Sequence, residues 1–331
     1  MYGYAFISMP GIKTLAKLVR YIEFPVENFT DKRFFPPENE EPELVARYFI
    51  VMVAMDHRLS RPGKPYEAVI DGKHYHGADL LYRLGMKKLY EDPGFFDPTR
   101  LSKVRERDIE DWLSTGSSRP PDARIRAMLL RDLGYKLLKL YDGKVLSLIS
   151  AARNRLKTGL HNGFIDRLRS FIAYNDPVEK KAHLLAKFLE RRGLLRVNDS
   201  NNKHVPVDNH VTRLALRWGI VVVKGTWLAK IKKKQVFTHD EDIMLRLVIR
   251  EAYKRLCGLS SMDPYILDDF LWSFGRKCCR REEPVCINEC HESCSKVGGC
   301  RNNACILSGV CQAFSKKVFL PEHSYYDTWY Y

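Results

Sequence analysis

Eight of the nine cysteines in this chain fall between Cys278 and Cys311. Thiolates grouped so tightly usually hold a metal centre, and four of them suit an iron–sulfur cluster. Cys279 and Cys286 are separated by six residues, Cys305 and Cys311 by five. Between these pairs lie Cys290, Cys294 and Cys300, which together with His291 could bind a separate zinc ion. Cys278 adjoins Cys279, and Cys257 lies on a helical pattern and reads as packed core. The chain does not open on a basic segment followed by an apolar core, so no secretory signal is expected. Clustered cysteines without a signal point to metal binding in a reducing cytoplasm. In a hyperthermophile, disulfides would be the alternative use of the same residues.

Two other groups have the type and the setting for chemistry. Asp208 follows Val205-Pro206-Val207 and precedes the helical run Asn209 to Trp218. A carboxylate at a helix N-terminus stays ionised, and can stabilise a developing cation or activate water. Capping its own helix is the alternative role. The second group is Lys181. The helix entered through Asp176-Pro177-Val178-Glu179 has an apolar stripe of Val178, Ala182, Leu184, Leu185, Phe188 and Leu189. At about 100° per residue Lys181 falls within that stripe, whereas Lys180 points away. A lysine there either snorkels to water or is a desolvated amine able to attack carbon.

These groups need a scaffold, and the sequence predicts a mainly helical one. Residues 43–56 read as a buried helix and 66–77 as a hairpin turning at Asp71-Gly72. A helix follows around 77–90, and Pro120-Pro121-Asp122 opens another to Tyr141, with Asp122 as cap. Asp176 caps the next, with Pro177 in its first turn and Glu179 at its third position, and Gly193 ends it. Residues 197–204 form a polar loop. Two last helices, Thr238 to Leu256 and Asp263 to Lys277, lead into the cysteines.

With 331 residues, 45% hydrophobic and 29% charged, the chain can bury a substantial core and is not of the disordered class. Its longest apolar run, Tyr48 to Met55, is far too short to span a bilayer. The net charge of +15 favours a polyanionic partner, since neutralising phosphates releases counterions. Lys224 to Phe237 is the densest basic stretch, holding five lysines and no acid.

The run from Leu271 through Cys279 to Pro284-Val285-Cys286 resembles the cluster loop of endonuclease III-type, helix-hairpin-helix DNA glycosylases. That loop continues Cys-x2-Cys-x5-Cys, and here eighteen residues replace the x2 gap between Cys286 and Cys305. The resemblance implies a [4Fe-4S] cluster on Cys279, Cys286, Cys305 and Cys311, with Cys278, Cys290, Cys294 and Cys300 as alternates. Val205-Pro206-Val207-Asp208 followed by Arg213 to Gly219 is similar to the segment that delivers the catalytic Asp in the same superfamily. There the Asp stabilises the oxocarbenium character that builds as an N-glycosidic bond breaks.

Bifunctional members, the archaeal 8-oxoguanine glycosylase/lyases among them, place a lysine where Lys181 stands. The Leu-Pro-Gly-x-Gly hairpin that usually precedes it has no counterpart here. Lys180 to Leu185, before Asp208-Asn209-His210, is also similar to queuosine salvage nucleosidases, as is the apolar helix ending in Asp56. That likeness implies Asp56 and His210 as substrate-binding groups on a modified nucleoside.

The resemblances together imply an all-α, two-lobed glycosylase-like fold over 1–270, with a lobe boundary near 115–150. A cluster loop over 271–315 and an aromatic tail over 316–331 would follow. They imply a cytoplasmic, monomeric enzyme acting on DNA. The alternatives are a nucleosidase and a nucleic-acid-binding protein without catalysis.

Overall fold

A computed structural model describes residues 3–61 and 63–331. The chain divides into two compact units. One comprises residues 28–202 with 327–331, the other residues 1–27 with 203–326. The boundary expected near 115–150 is therefore corrected, because that stretch lies wholly inside the first unit. Local turn signals mark helix ends there, whereas the real division depends on which helices pack together.

The 28–202 unit is built around the helix Pro42–Met55. Glu41 starts it by accepting the amides of Glu43 and Leu44, and Pro42 suits the first helical position. From Tyr48 to Met55 every residue is buried, so this helix is apolar on all sides and must be enclosed. The helices Ala78–Glu91, Ala123–Tyr141, Val145–Ala151 and Lys180–Arg191 enclose it. Phe49 and Phe188 meet across that packing with centroids 5.2 Å apart. The strands Glu67–Ile70 and Lys73–His76 form the expected antiparallel hairpin, with Ile70 opposite Lys73. Asp71 and Gly72 both have positive φ, 51° and 71°, as a tight hairpin turn requires.

Two helix starts differ from expectation. Asp122 is left-handed (φ 56°) and does not cap with its side chain. Its carboxylate instead pairs with Arg61 at 2.6 Å. The helix expected from Asp176 begins later, at Lys180, because Glu179 is left-handed (φ 62°) and breaks the path. Glu179 is held there by Lys157 and Arg169, each at 2.7 Å. The left-handed region is strained for a residue with a side chain, and this pair of ion bridges over-determines it.

The other unit packs the helices Met9–Val19, Asn209–Trp218, His239–Ser260 and Pro264–Lys277. Thr238 and Glu241 form a reciprocal capping box at the long helix, and Asp263 caps the next. Strand Tyr4–Ile7 pairs antiparallel with Val221–Lys224, Tyr4 opposite Lys224. A third short pair, Cys300–Arg301 with Ala304–Cys305, lies in the cysteine loop. The fold is thus helical as expected, with three small strand pairs among the described residues where one hairpin was foreseen. Among the described residues no helix is long and apolar enough to cross a membrane.

Candidate active-site residues and cysteine centre

Lys181 is fully buried in the first turn of Lys180–Arg191. Its amine donates to the Ala54 carbonyl at 2.5 Å and lies 3.3 Å from His57 Nδ1. Burial lowers its pKa well below the usual lysine range, with the charges of Lys180 and Arg126 adding to the effect. Asp56 and Asp176 oppose the shift without reversing it. The same burial, with Arg126, Lys181 and Lys180, lowers His57 well below the ordinary histidine value. A neutral His57 can accept an amine proton at Nδ1 and carry its own proton on Nε2. That Nε2 is buried without a hydrogen-bond partner among the described residues, as is Oδ1 of Asp176. Burial raises Asp176 to about 6, although backbone amides at the helix start counteract it.

Lys180, expected on the outer face, is buried as well. The late helix start puts both lysines in the first turn, facing the end of Pro42–Met55. There Lys180 Nζ donates to the Asp56 carbonyl at 2.9 Å and stands 3.7 Å from its carboxylate. Three of the groups singled out by sequence, Asp56, Lys180 and Lys181, thus gather in one place. His57, Asp176 and Arg126 join them unforeseen. The signal for His57 was available, since it directly follows Asp56. Nothing local marks Arg126, which enters by its carbonyl bonds to the Met55 and Pro121 main chain.

Asp208 caps Asn209–Trp218 by accepting the Val211 amide at 2.8 Å. Its neighbours on both sides are pinned by one buried side chain. Arg246 donates to the Val207 carbonyl at 3.2 Å and to Asn209 Oδ1 at 2.8 Å. Arg246 is itself fixed by Asp242 at 2.8 Å, which also holds His323 at 2.5 Å. Burial pushes the Asp242 carboxyl up, yet Arg246 and His323 outweigh it and hold the group below its ordinary range. The cap residue is therefore set in a stiff frame with its carboxylate half-exposed.

His210 is half-buried beside Gly275, where an added Cβ would stand 2.9 Å from the His210 Cβ. Burial lowers its pKa to about 4, and Arg213 contributes while Asp208 opposes. Its Nδ1 lies 3.0 Å from Arg213, so it faces the interior of its own unit.

One helical turn apart, Arg213 and Arg217 tie the Asp208 helix to the cysteine loop. Arg213 donates to the carbonyls of Gly275 and Cys279 at 2.7 and 3.0 Å. Arg217 reaches the carbonyls of Arg280 and Arg281 at 2.7 and 2.6 Å, and Cys279 Sγ at 3.3 Å. Cys279, Cys286, Cys305 and Cys311 carry free thiols and line a single cavity with Trp218, Phe274 and Phe319. Burial pushes Cys286 up to about 11 and Cys305 to about 12, and neighbouring cysteines add to the shift at each. Buried thiols of this kind become thiolates when a cation supplies the opposing charge.

The four alternates are joined in pairs, Cys278 to Cys294 and Cys290 to Cys300. His291 is turned away from the role of zinc ligand. Its Nδ1 accepts the Cys294 amide at 3.3 Å and lies 2.8 Å from the Ser293 hydroxyl, capping a short helix. Among the described residues, no three His, Cys, Asp or Glu side chains stand as a ready single-ion site.

No protein-family model matches the chain, and no curated protein matches it. Among solved structures it is similar to one described as the structure of a thermostable thymine-DNA glycosylase. The identity is 14%, over 93% of this chain and 98% of that chain, with a TM-score of 0.47.

Proposed function

We propose that the protein cleaves N-glycosidic bonds, removing a base from DNA. The observation that carries this reading is the dehydrated Lys181 amine, held between the Ala54 carbonyl and a neutral His57. Lowering the pKa of an amine by burial is one way in which a lysine is activated as a nucleophile. In the lyase form of the reaction its nitrogen bonds to the sugar C1′ as the glycosidic bond breaks. The base leaves with the electron pair and takes up a proton, and ring opening gives a Schiff base. Asp208, the rigidly framed cap of a helix start, would stabilise the cationic sugar. The charge of +15 supplies the attraction for a phosphate backbone.

Cys279, Cys286, Cys305 and Cys311 fit a [4Fe-4S] cluster. Their thiols are free, they share one cavity with apolar walls, and a polynuclear cluster spaces its thiolates more widely than a single ion does. The cluster would supply cross-linking and no redox step. It would fix the loop on which Arg213 and Arg217 pull, and through them the helix that begins at Asp208.

The convergence of Asp56 with Lys180 and Lys181 favours a second reading, a nucleosidase acting on a free modified nucleoside. One experiment separates the two. The chain, purified anaerobically, is incubated with duplexes carrying single modified bases and with free modified nucleosides, and base release is followed by mass spectrometry. Release from duplex that falls steeply with salt, and borohydride trapping lost in Lys181→Gln, is the expected result. Release confined to free nucleosides would transfer the protein to the second reading. No release from either would leave a nucleic-acid-binding protein.

A further inference from the structure

A second group of four cysteines meets in the same loop, and of these only Cys278 also borders the cavity just described. Cys278 is joined to Cys294 and Cys290 to Cys300, with Cα separations of 5.1 and 6.2 Å. The two pairs touch, since Cys294 Sγ lies 3.3 Å from Cys300 Sγ. All four sulfurs therefore form one continuous group. The backbone closes over it at Gly299, where an added Cβ would fall 2.3 Å from Cys278 Sγ and 2.7 Å from Cys294 Sγ. Only glycine lets the chain pass that close.

We propose that Cys278, Cys290, Cys294 and Cys300 form a tetrathiolate Zn²⁺ site, independent of the iron–sulfur reading. The scale of the group suits one ion. Thiolates at about 2.3 Å from zinc in a tetrahedron stand about 3.8 Å from one another. Sulfurs already in mutual contact reach that arrangement with little change in backbone, and leave no room for a cube of iron and sulfide. The loop also needs a staple. Between Cys278 and Cys311 it has only a four-residue helix and two-residue strands, too little to hold itself by a core.

Thiol chemistry then favours an ion over two disulfides. Five cysteines of the chain are free, among them Cys279, the chain neighbour of Cys278. A thiolate beside a disulfide invites exchange, and metal-bound thiolates avoid that scrambling. Four thiols and one Zn²⁺ give the tetrathiolate with release of four protons, and no electron moves. Starting from the paired form, two equivalents of a dithiol reductant must first open the two disulfides, each reductant being oxidised to its own cyclic disulfide.

The full chain, isolated anaerobically and exchanged into buffer with Zn²⁺ alone, tests this. Zinc and iron are measured separately, so failure here is distinct from failure of the cluster assignment. One zinc per chain is expected in the wild type. Cys290→Ser combined with Cys300→Ser should lose that zinc and keep the iron content of the wild type. Thiol counting needs no folded variant. Alkylation of wild type denatured with chelator and without reductant should label all nine cysteines. Labelling of the five free cysteines alone would show two disulfides and overturn the proposal. A wild type without stoichiometric zinc, or a folded double variant that retains it, would overturn it equally.

Discussion

Lys181 and Asp208 both stand at helix starts, and the two starts are built in opposite ways. The chain enters Lys180–Arg191 through the left-handed Glu179, which swings both lysines inward. It enters Asn209–Trp218 through extended backbone (φ -96°, ψ -168°), so Asp208 takes the cap and stays half-exposed. The electrostatics follow the construction. The positive end of a helix favours a carboxylate and disfavours an ammonium. The Asp208 carboxylate suits the helix start that it caps, while burial and its neighbours drive Lys181 toward the neutral amine. One device, a helix N-terminus, thus holds a buried amine in one unit and a half-exposed cap carboxylate in the other.

The largest expected effect tests the chemical half of that contrast. Asp208→Asn should lower base release by about 10²–10⁴-fold, while thermal stability stays near wild type, because Asn caps a helix nearly as well. An unchanged rate would reduce Asp208 to a cap. Arg246→Ala attacks the frame instead. It leaves the buried Asp242 with His323 but without its guanidinium partner and frees Val207 and Asn209, at a cost of about 3–5 kcal/mol read by denaturant unfolding. A cost below about 1 kcal/mol would mean the frame is not what fixes Asp208.

A smaller effect should appear in pH dependence, with opposite sign in the two units. Asp176, raised by burial to about 6, favours folding in its protonated form. Its contribution is present below the ordinary value of 3.8 and is lost as pH rises through about 6. His210, lowered by burial to about 4, contributes above its ordinary 6.5, and that contribution is lost as pH falls through about 4. Each amounts to roughly 3 kcal/mol. Hydrogen exchange between these limits should show protection of Lys180–Arg191 falling with rising pH and that of Asn209–Trp218 increasing. Asp176→Asn should remove the first slope and leave the second. Slopes of one sign in both helices would break the comparison. Smallest of all, Asp208→Ala should cost about 1 kcal/mol more stability than Asp208→Asn, the worth of a lost cap.

The sequence by itself determined whatever depends on neighbours along the chain. The hairpin at Asp71-Gly72, the buried helix before Asp56 and the cap at Asp208 were legible because turn, apolar run and capping signals are local. The set Cys279, Cys286, Cys305 and Cys311 came from the resemblance to a cluster loop, and these four are the unpaired thiols between Cys278 and Cys311. The late start at Lys180 was not legible, because two ion pairs to Lys157 and Arg169 decide the conformation of Glu179. Nor was all the company of Lys181. Arg126 comes from a distant segment, through bonds to the Met55 and Pro121 carbonyls that leave no mark in the local sequence. Tertiary structure alone decided which groups share a dry environment. Desolvation is a property of the packed interior, and it is desolvation that turns an ordinary lysine into a candidate nucleophile.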